Sequence, residues 1–94
     1  MEGSQSSAWF VYLVRCQDGS LYCGIAKDLA RRLEEHNSPD KGAKYTRGRR
    51  PAQLVYAEAA ASRAQATQRE GRIKRLTRTE KMTLIETFTA GLEK

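Results

Sequence analysis

A carboxylate on the inward side of a helix is the most informative residue in this sequence of 94 amino acids. Ala66, Glu70 and Ile73 are spaced i, i+4 and i+7, so Glu70 shares a helical stripe with apolar residues and not with the polar face. Such a carboxylate needs a partner, because burying it unpaired costs several kcal/mol. The partner is either a metal ion or a cation, and Arg32, Arg69 and Lys74 are the side chains that would make a plain salt bridge. Arg32 and His36 are also i, i+4 and project from one side of a short helix beside Leu29 and Leu33, whereas Arg31 lies farther round and reads as solvated. Tyr12 and Tyr22 stand in two consecutive strands, where packing is the ordinary role of tyrosine.

The elements that must position these groups are legible in turn. Trp9–Cys16 and Ser20–Ile25 are rich in aromatic and β-branched residues, and Gln17-Asp18-Gly19 between them predicts a β-hairpin. A two-residue Asp-Gly loop would put Tyr12 and Tyr22 on opposite faces, whereas a three-residue loop with Gly19 left-handed pairs Cys16 with Ser20 and puts them on the same face. Asp28 is the expected N-cap of a helix running to about His36. Residues 37–51 form a turn-rich, basic loop in which Lys41, Lys44, Arg47, Arg49 and Arg50 surround Tyr45. Gln53–Glu58 reads as a third strand, with Ala59–Ala61 leading out of it. Two capping boxes, Ser62 to Gln65 and Thr77 to Glu80, then open two helices. Their apolar stripes are Ala66, Ile73 and Leu76 in the first, and Met82, Ile85 and Phe88 or Leu92 in the second. The order is β-β-α-β-α-α in an α+β fold, with a disordered tail over residues 1–8 and a single domain over residues 9–94.

Composition narrows the function. Lys and Arg number 17 against 11 acidic residues, a net charge of +6, so polyanions are attracted and nucleic acid is the first partner to expect, with anionic membrane second. No apolar run approaches the roughly 18 residues that span a bilayer. The first eight residues lack the features of a signal peptide, so a cytoplasmic location with reduced cysteines is expected. Cys16, Cys23 and the lone His36 cannot complete a zinc site. The usual nucleotide, esterase and metalloprotease motifs are missing. Met82, Ile85 and Phe88 are needed as core, which leaves membrane binding through the last helix a poor alternative.

Val11-Tyr12-Leu13, Tyr22-Cys23-Gly24, Asp28-Leu29 with Arg32-Leu33 and His36-Asn37, Gly42 to Arg47, and Glu70 with Ile73-Lys74 follow one another at characteristic spacing. From Trp9 to about Leu76 the sequence resembles the GIY-YIG nuclease superfamily, and most closely its small stand-alone bacterial members. The resemblance implies a three-stranded antiparallel sheet flanked by helices, and a divalent-metal-dependent endonuclease acting on DNA. Tyr12, Tyr22, Arg32, His36 and Glu70 match the family's catalytic positions, with Glu70 the ligand of Mg²⁺ or Mn²⁺. Ile25 stands where repair members often carry lysine, so Lys27 or Lys44 would supply that charge if it is needed.

On this reading Arg32 clamps the scissile phosphate, and one tyrosine, assisted by His36 or nearby cations, handles a proton. Lys27, Lys41, Lys44, Tyr45, Arg47, Arg49, Arg50 and Lys74 bind the phosphate backbone, with weak sequence preference and a substrate that is single-stranded or branched DNA, as in repair or processing. No nucleotide cofactor and no membrane are expected. The competing reading is a catalytically idle nucleic-acid-binding module. A shared site requires both tyrosines on one face, hence the three-residue loop with Gly19 at positive φ.

Overall fold

The computed structural model describes residues 8–38 and 49–92. Its elements are β1 (Trp9–Arg15), β2 (Leu21–Ala26), α1 (Leu29–His36), β3 (Gln53–Ala60), α2 (Arg63–Lys74) and α3 (Arg78–Leu92). The strands form one antiparallel sheet in the order β2-β1-β3. Val11, Tyr12, Leu13 and Val14 are all buried. A central strand covered on both faces requires this, and it explains why the run in β1 does not alternate apolar with polar residues.

Two apolar cores result. On one face Val11, Leu13 and Cys23 meet Ala66 and Ile73 of α2 and Ile85 of α3. On the other, Tyr12, Val14 and Ala26 meet Leu29 and Leu33 of α1. A bulge between Leu13 and Val14 in the β1–β3 ladder pairs Leu13 with Tyr56 and Val14 with Leu54, leaving Val55 as the extra residue. Leu54 thereby reaches the α1 core while Val55 and Tyr56 pack on the α2 side.

The hairpin turns through Gln17-Asp18-Gly19. The Cys16 amide donates to the Ser20 carbonyl and the Gly19 amide to the Cys16 carbonyl, both at 2.9 Å, with Gly19 at φ +85°. Tyr12 therefore pairs with Gly24 and Val14 with Tyr22, which sets Tyr12 and Tyr22 on the same face. The three-residue loop is the one adopted.

Local signals fix the helices. Asp28 accepts the Arg31 amide at 3.0 Å at the start of α1. Thr77 and Glu80 exchange two hydrogen bonds, 2.9 and 3.1 Å, in a complete capping box that opens α3. Ser62 accepts the Gln65 amide, but the Gln65 side chain reaches the Ala61 amide and not that of Ser62. β3 continues to Ala60, two residues past its expected end, because Trp9 and Phe10 pair with Ala60 and Ala59. Apart from Ala8, the N-terminal tail lies outside the described residues, as do Lys41, Lys44, Tyr45 and Arg47. Among the described residues no helix is long and apolar enough to cross a membrane.

Candidate active site

Four of the expected site residues converge on the α1 face of the sheet. The ring centroids of Tyr12 and Tyr22 lie 6.5 Å apart, and that of His36 is 5.9 Å from Tyr12 and 5.3 Å from Tyr22. Tyr12 Oη and His36 Nε2 share a 2.9 Å hydrogen bond, with the donor set by the imidazole tautomer. The hairpin register supplies the tyrosines, and the Leu29-Leu33-His36 stripe of α1 carries the imidazole down onto them. Arg32 lines the same place with Tyr12, Leu29, Leu33, His36, Val14 and Leu54.

Burial sorts these groups into inner and outer. His36 is 0% exposed and Tyr12 2%, while Tyr22 is half-buried. Burial pushes the Tyr12 phenol up to about 12, although hydrogen bonding to Arg32 and its charge pull the other way. Burial, and then the Arg32 charge, hold His36 below its ordinary value. Burial also works against the Arg32 cation, but hydrogen bonds to Glu35 and Tyr12 outweigh it and keep the guanidinium firmly charged. Arg32 Nη1 meets Glu35 Oε1 at 2.8 Å, and the arginine side chain is 32% exposed against 76% for Arg31. Arg32 thus stands on the site side of α1 and Arg31 in solvent.

Glu70 is carried by the opposite layer. Its neighbours along the stripe, Ala66 and Ile73, are fully buried, while its own side chain is 20% exposed and meets Lys74 Nζ at 3.4 Å. Lys74 is thus the cation that the inward carboxylate has found. Burial raises the Cys23 thiol to about 11, and the Glu70 charge adds to it. Cys23 and Tyr22 are adjacent in β2, an edge strand, and point to opposite faces. One edge strand therefore separates Glu70 from the tyrosine pair. Ile25 packs on the Glu70 side with Cys23, so a longer side chain there would leave from the α2 face.

Among the described residues no group of three or more metal-ligating side chains occurs. A single carboxylate still suits Mg²⁺ or Mn²⁺, because magnesium keeps several of its waters and takes one or two protein carboxylates. The ion pair that would have to open is long, and Lys74 is 55% exposed. With Lys74 largely in solvent the pair is worth only about 1 kcal/mol, and Glu70 is the residue that would hold a divalent cation.

The remaining cations are divided. Arg49 gives Nε to Asp18 Oδ2 at 3.0 Å, and its carbonyl accepts the Gln17 amide, so this residue ties the end of the basic loop to the hairpin turn. Arg50 is half-buried, and Lys27 lies 5.5 Å from the centroid of the Trp9 ring. Two residues whose roles were missed emerge from the structure. A β-carbon on Gly24 would lie 2.5 Å from Tyr12 Oη, so the absent side chain is what admits the phenol. Asn37 donates to the Ala52 carbonyl at 3.0 Å and accepts its amide at 2.7 Å, closing the base of the basic loop. The signal for both was their place beside a candidate residue, Gly24 opposite Tyr12 and Asn37 after His36.

Comparison with known proteins finds likenesses that cover most of the chain. A family model described as the GIY-YIG catalytic domain matches residues 8–83. A UPF0213 protein of Desulfotalea psychrophila is 54% identical over 89% of this chain and 76% of its own length. One from Staphylococcus epidermidis is 51% identical over 82% of this chain and 93% of its own. Among solved structures, the solution structure of the UPF0213 protein BH0048 from Bacillus halodurans is similar, with a TM-score of 0.54 and 41% identity over 85% of this chain and 84% of that one. That of the E. faecalis protein EF2693 has a TM-score of 0.59 and 40% identity over 88% of each chain.

Proposed function

This chain belongs to the GIY-YIG catalytic domain family, a family of nucleases, and from that premise we propose that it is a divalent-metal-dependent endonuclease that hydrolyses phosphodiester bonds in single-stranded or branched DNA. The observation that carries the reading is the convergence of Tyr12, Tyr22, His36 and Arg32 on one face, reached from two strands and a helix. Simple DNA binding gives no reason to bury an imidazole against a tyrosine pair.

The side chains divide the work. Arg32 presents a permanent cation to the scissile phosphate and to the charge that develops on it. Tyr22, the more exposed phenol, is the one that water and substrate reach, and it holds or passes the proton. Tyr12, with its proton held until about pH 12, and neutral His36 keep the tyrosine pair in place. Glu70 would hold Mg²⁺ or Mn²⁺, and the bound cation would supply Lewis-acid stabilisation of the phosphate and a more acidic water. Arg50, Lys74 and the basic segment with Lys41, Lys44 and Arg47 offer charge to the backbone of the strand, and Tyr45 offers a hydroxyl to a phosphate or a ring to a base. Arg49 contributes only to the extent that it releases Asp18. A cytoplasmic role in DNA repair or processing suits this chemistry.

The test is incubation of labelled single-stranded, flap and duplex oligonucleotides with Mg²⁺, Mn²⁺ or EDTA. Cleavage with either metal and none in EDTA is expected, and Glu70→Gln should lose it while keeping the fold. Equal cutting by parent and Glu70→Gln would make Glu70 structural. No cutting of any substrate would leave the idle binding module.

A further inference from the structure

The chain has one tryptophan, and two cations sit on it. Lys27 Nζ lies 5.5 Å from the centroid of the Trp9 ring and Arg63 Cζ 5.8 Å. The three residues come from different elements. Trp9 opens β1, Lys27 follows β2 directly, and Arg63 is the first residue of α2. The sheet register unites them, since Phe10 pairs with Ala26 and Trp9 with Ala60, so the start of β1 and the ends of β2 and β3 form one end of the sheet.

Lys27 and Arg63 are exposed, and among the described residues neither forms an ion pair with a carboxylate. The ring quadrupole attracts each cation but does not cancel its charge. Two cations without a carboxylate partner are thus gathered on one ring at one end of the sheet, and the start of α2 at Arg63 adds the positive end of the helix dipole. An anion is the partner that this excess of positive charge lacks. The cluster also continues toward the site already described: Lys27 precedes Asp28, the N-cap of α1, whose first turns carry Arg31 and Arg32. The intervening Asp28 carboxylate is engaged by the Arg31 amide.

We propose that Trp9, Lys27 and Arg63 form a second phosphate-binding site that holds the backbone of the DNA strand away from the scissile bond. The identity of the strand rests on the nuclease reading; the anion site itself rests on the cation cluster. Trp9 is a positioning residue, and Lys27 and Arg63 make the contacts.

The lone tryptophan reports directly on the proposal. The full chain in EDTA is titrated with a fluorescein-labelled oligo-dT strand, read by anisotropy and, with unlabelled strand, by tryptophan emission, between low and moderate salt. Trp9 emission should change saturably over the concentrations at which anisotropy rises. Lys27→Ala with Arg63→Ala should weaken binding roughly tenfold at low salt and reduce the salt slope of log affinity by about 1.4, since each phosphate contact on a single strand contributes about 0.7. Trp9→Phe, which keeps a ring of weaker quadrupole, should fall between parent and double variant, with circular dichroism confirming the fold of each.

Binding by the parent with silent Trp9 emission, and an unchanged affinity and slope in the double variant, would overturn the site while leaving cleavage to be judged by its own assay. A parent that binds through this cluster but cuts nothing would overturn the nuclease and keep the anion site. A parent that neither binds nor cuts would overturn both.

Discussion

Tyr12 lies across Gly24 so closely that a β-carbon at position 24 would come within 2.5 Å of the tyrosine Oη and 2.7 Å of Cζ. The ring has no room to retreat, since Tyr12 is buried and held by His36. Gly24→Ala should therefore lower stability by about 1–3 kcal/mol, the usual cost of overpacking, and should abolish cleavage by displacing the phenol. Gly71 is the opposite case, a mid-helix glycine whose added β-carbon meets nothing within 4 Å. Gly71→Ala should raise stability by about 0.5–1 kcal/mol through helix propensity. Thermal melts of the two variants beside the parent decide the matter.

The buried imidazole gives stability an acid limb. Burial and the Arg32 charge lower the His36 pKa in the folded state, so below the ordinary value of about 6.5 the unfolded chain takes up a proton that the folded chain refuses. The stabilisation is fully present above that pH and is lost as pH falls below it. Melts from pH 8 to pH 5 should show this loss, and His36→Gln should flatten the slope in that window. An unchanged slope in the variant would assign the limb to other groups.

An alkaline limb should mirror it. With its phenol raised to about 12, Tyr12 keeps its proton while unfolded tyrosine loses it near 10. Stability should therefore fall as pH rises from about 10 toward 12. Absorbance titration of tyrosinate should show a late ionisation that is missing in Tyr12→Phe.

Asn37 answers both the amide and the carbonyl of Ala52, itself 3% exposed. Asn37→Ala leaves both backbone groups without their partner, at about 1–3 kcal/mol for a buried group left unsatisfied. Asn37→Asp keeps the acceptor but loses the donor, and should fall between. Exchange of the Ala52 amide, measured by NMR, should accelerate in the same order.

Arg49 and Asp18 form an exposed ion pair at 3.0 Å. Arg49→Ala should therefore produce a small fall in Tm at low salt that fades at high salt. A fall that persists at high salt would mean that something other than charge holds this residue.

Much of the fold was legible because its signals are local. Asp28, Ser62 and Thr77 begin their helices at the expected positions. The type and spacing of Gln17, Asp18 and Gly19, by contrast, left two loops open, and only the need of a shared site for Tyr12 and Tyr22 on one face selected the three-residue loop that is adopted. Arg32 and Arg31 separated correctly by helical angle alone. The sequence was silent where the outcome depends on two distant segments meeting. The Asn37–Ala52 pairing, the Arg49–Asp18 ion pair and the gathering of Lys27 and Arg63 on Trp9 all join elements whose approach is set by the sheet. The two extra residues of pairing at the end of β3 were hidden for the same reason, since Ala59 and Ala60 are poor strand formers that extend only because β1 is alongside.

The two hydrogen bonds from Asn37 to Ala52 have a consequence for how such proteins diversify. They join the chain on either side of residues 38–51, and with the Gln17 amide on the Arg49 carbonyl they fix where that segment leaves and re-enters the frame. Doubling its length would cost only about 0.6 kcal/mol in closure entropy, and neither the sheet nor α1 would register the change. Length and sequence can therefore vary between residues 38 and 51 while the tyrosine pair, the imidazole and the arginine stay where they are.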